Sequence, residues 1–395
     1  MSQAAFNPYA LKDRSGPAQF GQPFAGVIDP ILVEPPARFG FAGCVTHAHA
    51  LSAWQWVCRD LCADVIPQST ALSAAGLEAM MPQVLTRMRE ATAAADADSG
   101  QDSRLRSSLG SSEAREALPR VTLALRHRNL LPKAAAFGNL INGMADDAAL
   151  GAALQSMPLG DPPLAALLFH AAMGQVANPT RIITTVLRLA KGATESAVIR
   201  AGFSPIVEAI LAHAQNQLHV LQVGGPFADI DLVCHSIERF HRLMRALVGN
   251  VEFDRNSRWS GVIAGLIKQA SDRIEPRLRD LPSDLNLAMR RGREGSDRLD
   301  SDSVLATING LYLLRTVREC RDSLGLNAVF EQTWNATGQA LELYLQRNLD
   351  LHRQFPDDAV IGARLDAAIK MVEIRFTSEY AETLRRARAA AERRA

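Results

Sequence analysis

Residues 230–247 read IDLVCHSIERFHRLMRAL, and their apolar members recur at Ile230, Val233, Ile237, Phe240, Met244 and Leu247. Steps alternating between three and four mark a helix with one buried face. Phe330, Trp334, Leu341 and Leu345 give a second such face. A third stripe, Ile361, Leu365, Ile369, Val372, Phe376, Tyr380 and Leu384, runs on as one helix into RRARAAAERRA, where Arg385, Arg386, Arg388, Arg393 and Arg394 replace the apolar anchors. Positive charge at a helix C-terminus complements the macrodipole, so a solvated helix end accounts for these arginines. Arg385, Arg386 and Arg388 are also the candidate contacts for an acidic or phosphate-bearing partner.

Helix starts are legible between these stripes. Asp161 before Pro162, Asn178 before Pro179 and Ser204 before Pro205 each place a capping side chain ahead of a proline whose missing N–H is harmless in the first turn. Further starts are expected at Asp229, Asn256, Ser283, Ser301 and Asp357. The intervals are uneven, which argues against a regular solenoid repeat. Strand signals are scarce, so the expected fold is all-α, an irregular multi-helix bundle array.

Residues 1–43 differ, because Pro8, Pro17, Pro23, Pro30, Pro35 and Pro36 leave no room for a long helix. They read as an extended arm, within which AGVIDPILV (25–33) forms one or two short strands or a strap across the body. A first helical part is expected over 44–93 and the main helical body over 113–395. Between them residues 94–112 are small and polar, the composition of a flexible loop or linker.

Composition narrows the function. The 395 residues are 47% apolar with a net charge of +1, so no global field draws phosphate or acidic surfaces. Arg104, Arg106, Arg115, Arg120, Arg126 and Arg128, and separately Arg290, Arg291 and Arg293, make local basic patches. Aromatic residues are 6% of the chain and are not interleaved with those arginines, which argues against a nucleic-acid partner. The N-terminus lacks the basic start and apolar run of a secretory signal, and the most apolar stretch, 162–177, is too short to cross a membrane. Five cysteines, an odd number, fit reduced thiols. A cytoplasmic protein is expected, and the use of Arg over Lys suggests a GC-rich bacterial genome.

Two clusters carry the residue types of chemistry. Cys44, His47, His49, Cys58 and Cys62 offer the thiolate and imidazole that zinc prefers, and Cys58 and Cys62 share a helix face at i, i+4. His47 and Cys58 are separated by roughly 16 Å on a helix rising about 1.5 Å per residue, so only a subset such as Cys58 and Cys62 suits one metal ion. The stripe Leu51, Trp54, Cys58, Leu61 and Val65 alternatively makes Cys58 a core residue. Cys62, next to Arg59 and Asp60, is the candidate reactive thiol.

The second cluster is His170, His213, His219, His235, Glu238 and His241. Its single Glu-x-x-His falls short of the two copies a di-iron bundle needs. His170, His213 and His241 remain the candidate cofactor or ligand contacts. The acidic pairs Asp146/Asp147 and Asp229/Asp231 read as helix caps, and Asp300/Asp302 as loop residues. Phosphate-cradle, dinucleotide, nucleophile-elbow and zinc-protease motifs are absent from the sequence.

The expected function is therefore a cytoplasmic scaffold or adaptor that binds a protein partner or itself. The alternative is a helical enzyme or a ligand- or metal-binding protein, its inter-helix pocket lined from the His170–His241 region or the Cys44–Cys62 segment. No particular cofactor or reaction is implied.

Overall fold

A computed structural model describes residues 26–34, 38–66, 73–221, 229–290 and 298–393. Residues 1–25 of the expected arm lie outside them. What is described of the arm is the strap. A 3-10 turn at Asp29–Ile31 leads into β1 (Leu32–Val33), which pairs in parallel with β2 (Val45–Thr46) in the register Leu32 to Val45. Ile28 and Ile31 are fully buried. The strap is fixed to the body by polar bonds: Gln215 accepts from the Phe39 N–H at 2.9 Å and donates to its carbonyl at 3.0 Å, and Arg258 donates to the Gly40 carbonyl at 2.7 Å.

Helices follow: α1 (His47–Trp56), α2 (Ala74–Ala97), α3 (Ser99–Leu109), α4 (Ser112–Arg126), α5 (Leu131–Gly143), α6 (Asp147–Gln155), α7 (Pro162–Met173), α8 (Pro179–Ala190) and α9 (Glu195–Arg200). Then come α10 (Ser204–Val220), α11 (Ile230–Val248), α12 (Arg258–Met289), α13 (Ser301–Cys320), α14 (Asn327–Gln354), α15 (Ala359–Arg375) and α16 (Ser378–Glu392). The fold is all-α. Asp161, Asn178, Asp146 and Asp229 cap their helices as read from the sequence.

Several readings are corrected. Residues 94–112 are helical rather than a loop. Asp98 accepts from the Gln101 N–H to open α3, Gly110 closes it at φ 85°, and Leu105 and Leu109 anchor this polar helix one turn apart. Arg115 adds bonds to Asp102 at 3.0 Å and Asp96 at 2.5 Å. Two buried anchors and an ion-pair network thus overcame a composition typical of loops.

Ser283 starts nothing. It lies inside α12, which continues through Pro276 and Pro282. Pro282 leaves the Leu278 carbonyl without its intrahelical donor, and Thr333 of α14 donates to that oxygen at 3.0 Å. Ser204 occupies the first turn of α10 without capping it; the starts expected at Asn256, Ser301 and Asp357 are capped by the adjacent Ser257, Asp300 and Asp358. Asp300 is thereby a cap and not a loop residue. The third stripe is two helices, broken at Phe376 (φ −113°, ψ −103°), so that α16 folds back on α15.

From α5 onward the helices stack in two rows. In one, α5, α7, α10, α12, α14 and α16 each pack on the next; in the other, α6, α8, α11, α13 and α15 do the same. Row neighbours run parallel. Glu208 to Arg258 and Leu218 to Arg273 join α10 and α12 in ascending order, and Leu278 to Thr333 and Asn286 to Tyr344 join α12 and α14 likewise. Hairpins α10/α11, α12/α13 and α14/α15 bridge the rows. This is the packing order of a solenoid. Row helices of 9 to 32 residues erase any fixed period, so the sequence lacks the repeat that the packing possesses.

Two apolar cores meet on α7. Leu167, Leu168 and Ala171 enter the core of α1–α5 and the strap, whereas Ala165, Phe169 and Met173 enter the core of the rows. Helices α2 to α4, on both sides of 94–112, share the first core. Gly138 on α5 and Gly43 lie so close to the Ala172 and Ala166 carbonyls of α7 that a Cβ on either would collide with backbone.

Gly138→Ala is expected to force α5 away from α7 at a cost of about 1–3 kcal/mol, read as a lower urea midpoint at unchanged slope. Thr333→Val keeps the shape but orphans the buried Leu278 carbonyl. It should lower stability by about 1–3 kcal/mol in the same assay.

Candidate functional site

The structure brings His170 and His213 together. They face each other from α7 and α10, with ring centroids 4.2 Å apart and planes inclined by 19°. His213 Nε2 donates to the His170 carbonyl at 2.8 Å, which fixes the proton on that nitrogen. The pair is deep: His170 is 1% exposed and His213 6%. His170 Nδ1 is buried without a hydrogen-bond partner.

Burial removes the charged form of both rings. His213 is brought down to about 4 by desolvation first, with Arg239 adding repulsion against its bond to His170. His170 is driven well below the usual imidazole range by desolvation and then by His213. Both are neutral at pH 7. His241, expected with them, is elsewhere: its Nδ1 meets Ser323 Oγ at 2.9 Å, and burial, then Arg245, lowers its pKa against the opposing Asp322. Of the three candidate ligand contacts, two pack on each other and one does not join them.

The cysteine segment separates too. Leu51 is 45% exposed within α1, a π-helical turn at Val57–Leu61 changes the register beyond it, and Trp54, Cys58 and Cys62 are buried. Burial pushes Cys58 up to about 11 and Cys44 up to about 12. Cys62 is raised by burial against the lowering effect of Arg87. The cation beside Cys62 is therefore Arg87, from α2, rather than Arg59. That guanidinium is committed to Asp64 at 2.5 and 2.7 Å and to the Leu61 carbonyl at 2.9 Å. His47 pairs with Glu34 at 3.0 Å, and His49 feels Arg120 and Glu113. Among the described residues no three His, Cys, Asp or Glu side chains group to hold a metal. Cys58 and Cys62 have no third ligand there.

The candidate interaction arginines lie on α16 and are paired within the chain. Arg385 reaches Glu373 at 2.8 Å and Glu382 at 3.4 Å, Arg386 reaches Glu382 at 3.7 Å, and Arg388 pairs with Asp366 and with Glu392 at 3.0 Å. Arg385 and Arg388 dock the last helix on α15, whereas Arg386 pairs within α16 and stays exposed.

Sequence reasoning missed a cleft of about 590 Å³ between α12 and α14. Arg279, Ser283 and Asn286 line one wall, Gln332, Thr333 and Ala336 the other, and Pro282 also lines it. Beyond it Tyr344 donates to Asn286 at 3.1 Å, and the neighbouring Leu287 and Leu343 are 61% and 66% exposed. The sequence reading nearest to it was the helix start expected at Ser283, which instead lies inside α12 beside Pro282. None of the histidine or cysteine candidates lines this cleft. No protein family, curated protein or solved structure matches the chain. Among the described residues no helix is long and apolar enough to cross a membrane.

The histidine pair makes stability depend on pH. Above the unfolded pKa of 6.5 both states hold neutral rings; below it the unfolded chain binds protons that His213 refuses until about 4. Stability should therefore fall with acidification from about pH 6.5, by about 1.4 kcal/mol per pH unit for each such ring. Urea midpoints between pH 7 and 5 read the slope, and His213→Gln should flatten it by about one proton.

Proposed function

We propose that this chain is an interaction scaffold, and that the α12/α14 cleft receives a segment of a partner protein. One observation carries the reading: two rows of stacked helices leave a cleft of mixed polar and apolar lining open between successive members of one row. Stacked helical rows offer extended surfaces on which partner segments lie along the grooves. The cleft walls supply amide and hydroxyl groups able to bond a peptide backbone, and Leu287 and Leu343 lie exposed nearby for apolar side chains. Five cysteines outside any disulfide suit a reducing compartment such as the cytoplasm. The buried histidine pair, neutral and stacked, serves in this reading as core.

Ala336→Arg fills the cleft from an intermediate-exposure position. Quantitative capture from extract should then lose at least about tenfold of any specific partner, at unchanged circular dichroism and melting temperature. Equal capture by both proteins overturns the cleft as the binding surface. Native mass spectrometry of the untagged chain is the second arm. A stoichiometric metal or small-molecule adduct would overturn the scaffold reading in favour of a ligand pocket.

A further inference from the structure

On another side of α14, two arginines converge on one indole. The Arg375 guanidinium carbon lies 3.2 Å from the centroid of the Trp334 ring, and that of Arg318 lies 4.7 Å from the same centroid. Arg375 comes from the last turn of α15, and its guanidinium also lies 5.0 Å from the Phe376 ring. It donates to the Trp334 carbonyl at 2.5 Å and to Thr337 Oγ1 at 3.5 Å. Both acceptors are neutral. Gly338 leaves space for it, because a Cβ there would come within 3.1 Å of Arg375 Nη2.

The charge balance of this cluster is incomplete. Arg375 is 7% exposed, yet among the described residues no carboxylate pairs with it or with Arg318; Glu342 acts on Arg375 only as a more distant attraction. Burial, followed by repulsion from Arg318, holds Arg375 down to about 10. Contact with an aromatic face returns about 0.5–2 kcal/mol, whereas burying an ion costs several kcal/mol, so the rings alone do not offset the buried Arg375 cation. The surroundings stay accessible: Arg318 and Tyr380 are exposed and Trp334 and Phe376 half-buried.

We propose that Arg318 and Arg375, both packed against the Trp334 ring, form a binding site for a phosphate group at the rim of that ring. With their guanidinium carbons 4.7 and 3.2 Å from a common centroid, both forks reach the rim of the indole, where one tetrahedral oxyanion takes charge-assisted bonds of about 2.8 Å from each. A phosphate dianion also matches the two positive charges, which a single carboxylate does not. The N-terminus of α16, beginning at Ser378 just after Arg375, adds positive potential to the same end of the rows. This site is independent of the cleft and of the scaffold reading.

The test is isothermal titration of the full chain with inorganic phosphate at constant ionic strength, chloride being the reference ion. One saturable site per chain is expected. Arg318 is exposed, so Arg318→Gln should keep the circular dichroism and melting temperature of the parent while weakening phosphate by at least about tenfold, the loss of one charge-assisted contact. Arg375→Lys, which keeps the charge and loses the planar fork, should weaken it also. Phosphoserine binding as well as free phosphate would assign the group to a modified peptide, and phosphate alone to the free ion; either supports the site. Absence of saturable binding, or binding unchanged in Arg318→Gln, overturns it.

Discussion

The burial of α7 on every side joins the two cores and orders the helices around it. Residues Ala165–Met173 are all buried, which requires that neighbours approach its backbone from several directions. Two do so through glycine, Gly43 and Gly138, at separations that exclude any Cβ. The C-terminal end is then closed by Arg239 of α11, which donates to the Met173 carbonyl at 2.9 Å and the Val176 carbonyl at 2.6 Å. A helix with no wet face must satisfy its last carbonyls from other elements, and here Arg239 at Met173 and His213 at His170 contribute. Through α7 the core of the first helices becomes continuous with the row that runs to α16.

The same logic of orphaned carbonyls explains the length of α12. Proline inside a helix ordinarily ends or kinks it. Here a buried hydroxyl from the next helix in the row replaces the missing donor, so α12 continues and packs along α14. The cleft lies where that proline turn cannot fill the space between the two helices, with Pro282 among its lining residues and Thr333 on the facing wall. A local defect in one helix thus becomes a feature of the surface, made tolerable by a long-range contact.

Burial also sorts the chemistry-bearing residues. Cys44, Cys58 and Cys62 are held as thiols and the histidine pair is held neutral, in each case chiefly by loss of water. At the buried Arg375 the neighbours are rings and neutral oxygens. The arginines of α16, by contrast, find carboxylates on both their own helix and α15. Residue type alone does not separate these cases, because the separation depends on which partner helix lies opposite.

The sequence by itself determined the elements whose causes are local. The three-four seam of α11, the capped prolines opening α7 and α8 and the aspartate caps of α6 and α11 all act within one helical turn, so they are visible in one dimension. The grouping of His170 with His213 was legible as well, since their rings do stack, although in the core. Tertiary structure decided the rest: the continuity of α12 past Pro282, the helical state of 94–112, the fold-back at Phe376, the stacked rows, the cleft and the cluster at Trp334. Each depends on a group distant in sequence, Thr333 for Leu278, Arg115 for Asp96, Arg375 for Trp334. Spacing along the chain records which face of a helix is apolar, but the neighbour that completes a carbonyl, a charge or a cavity is fixed only when the helices pack.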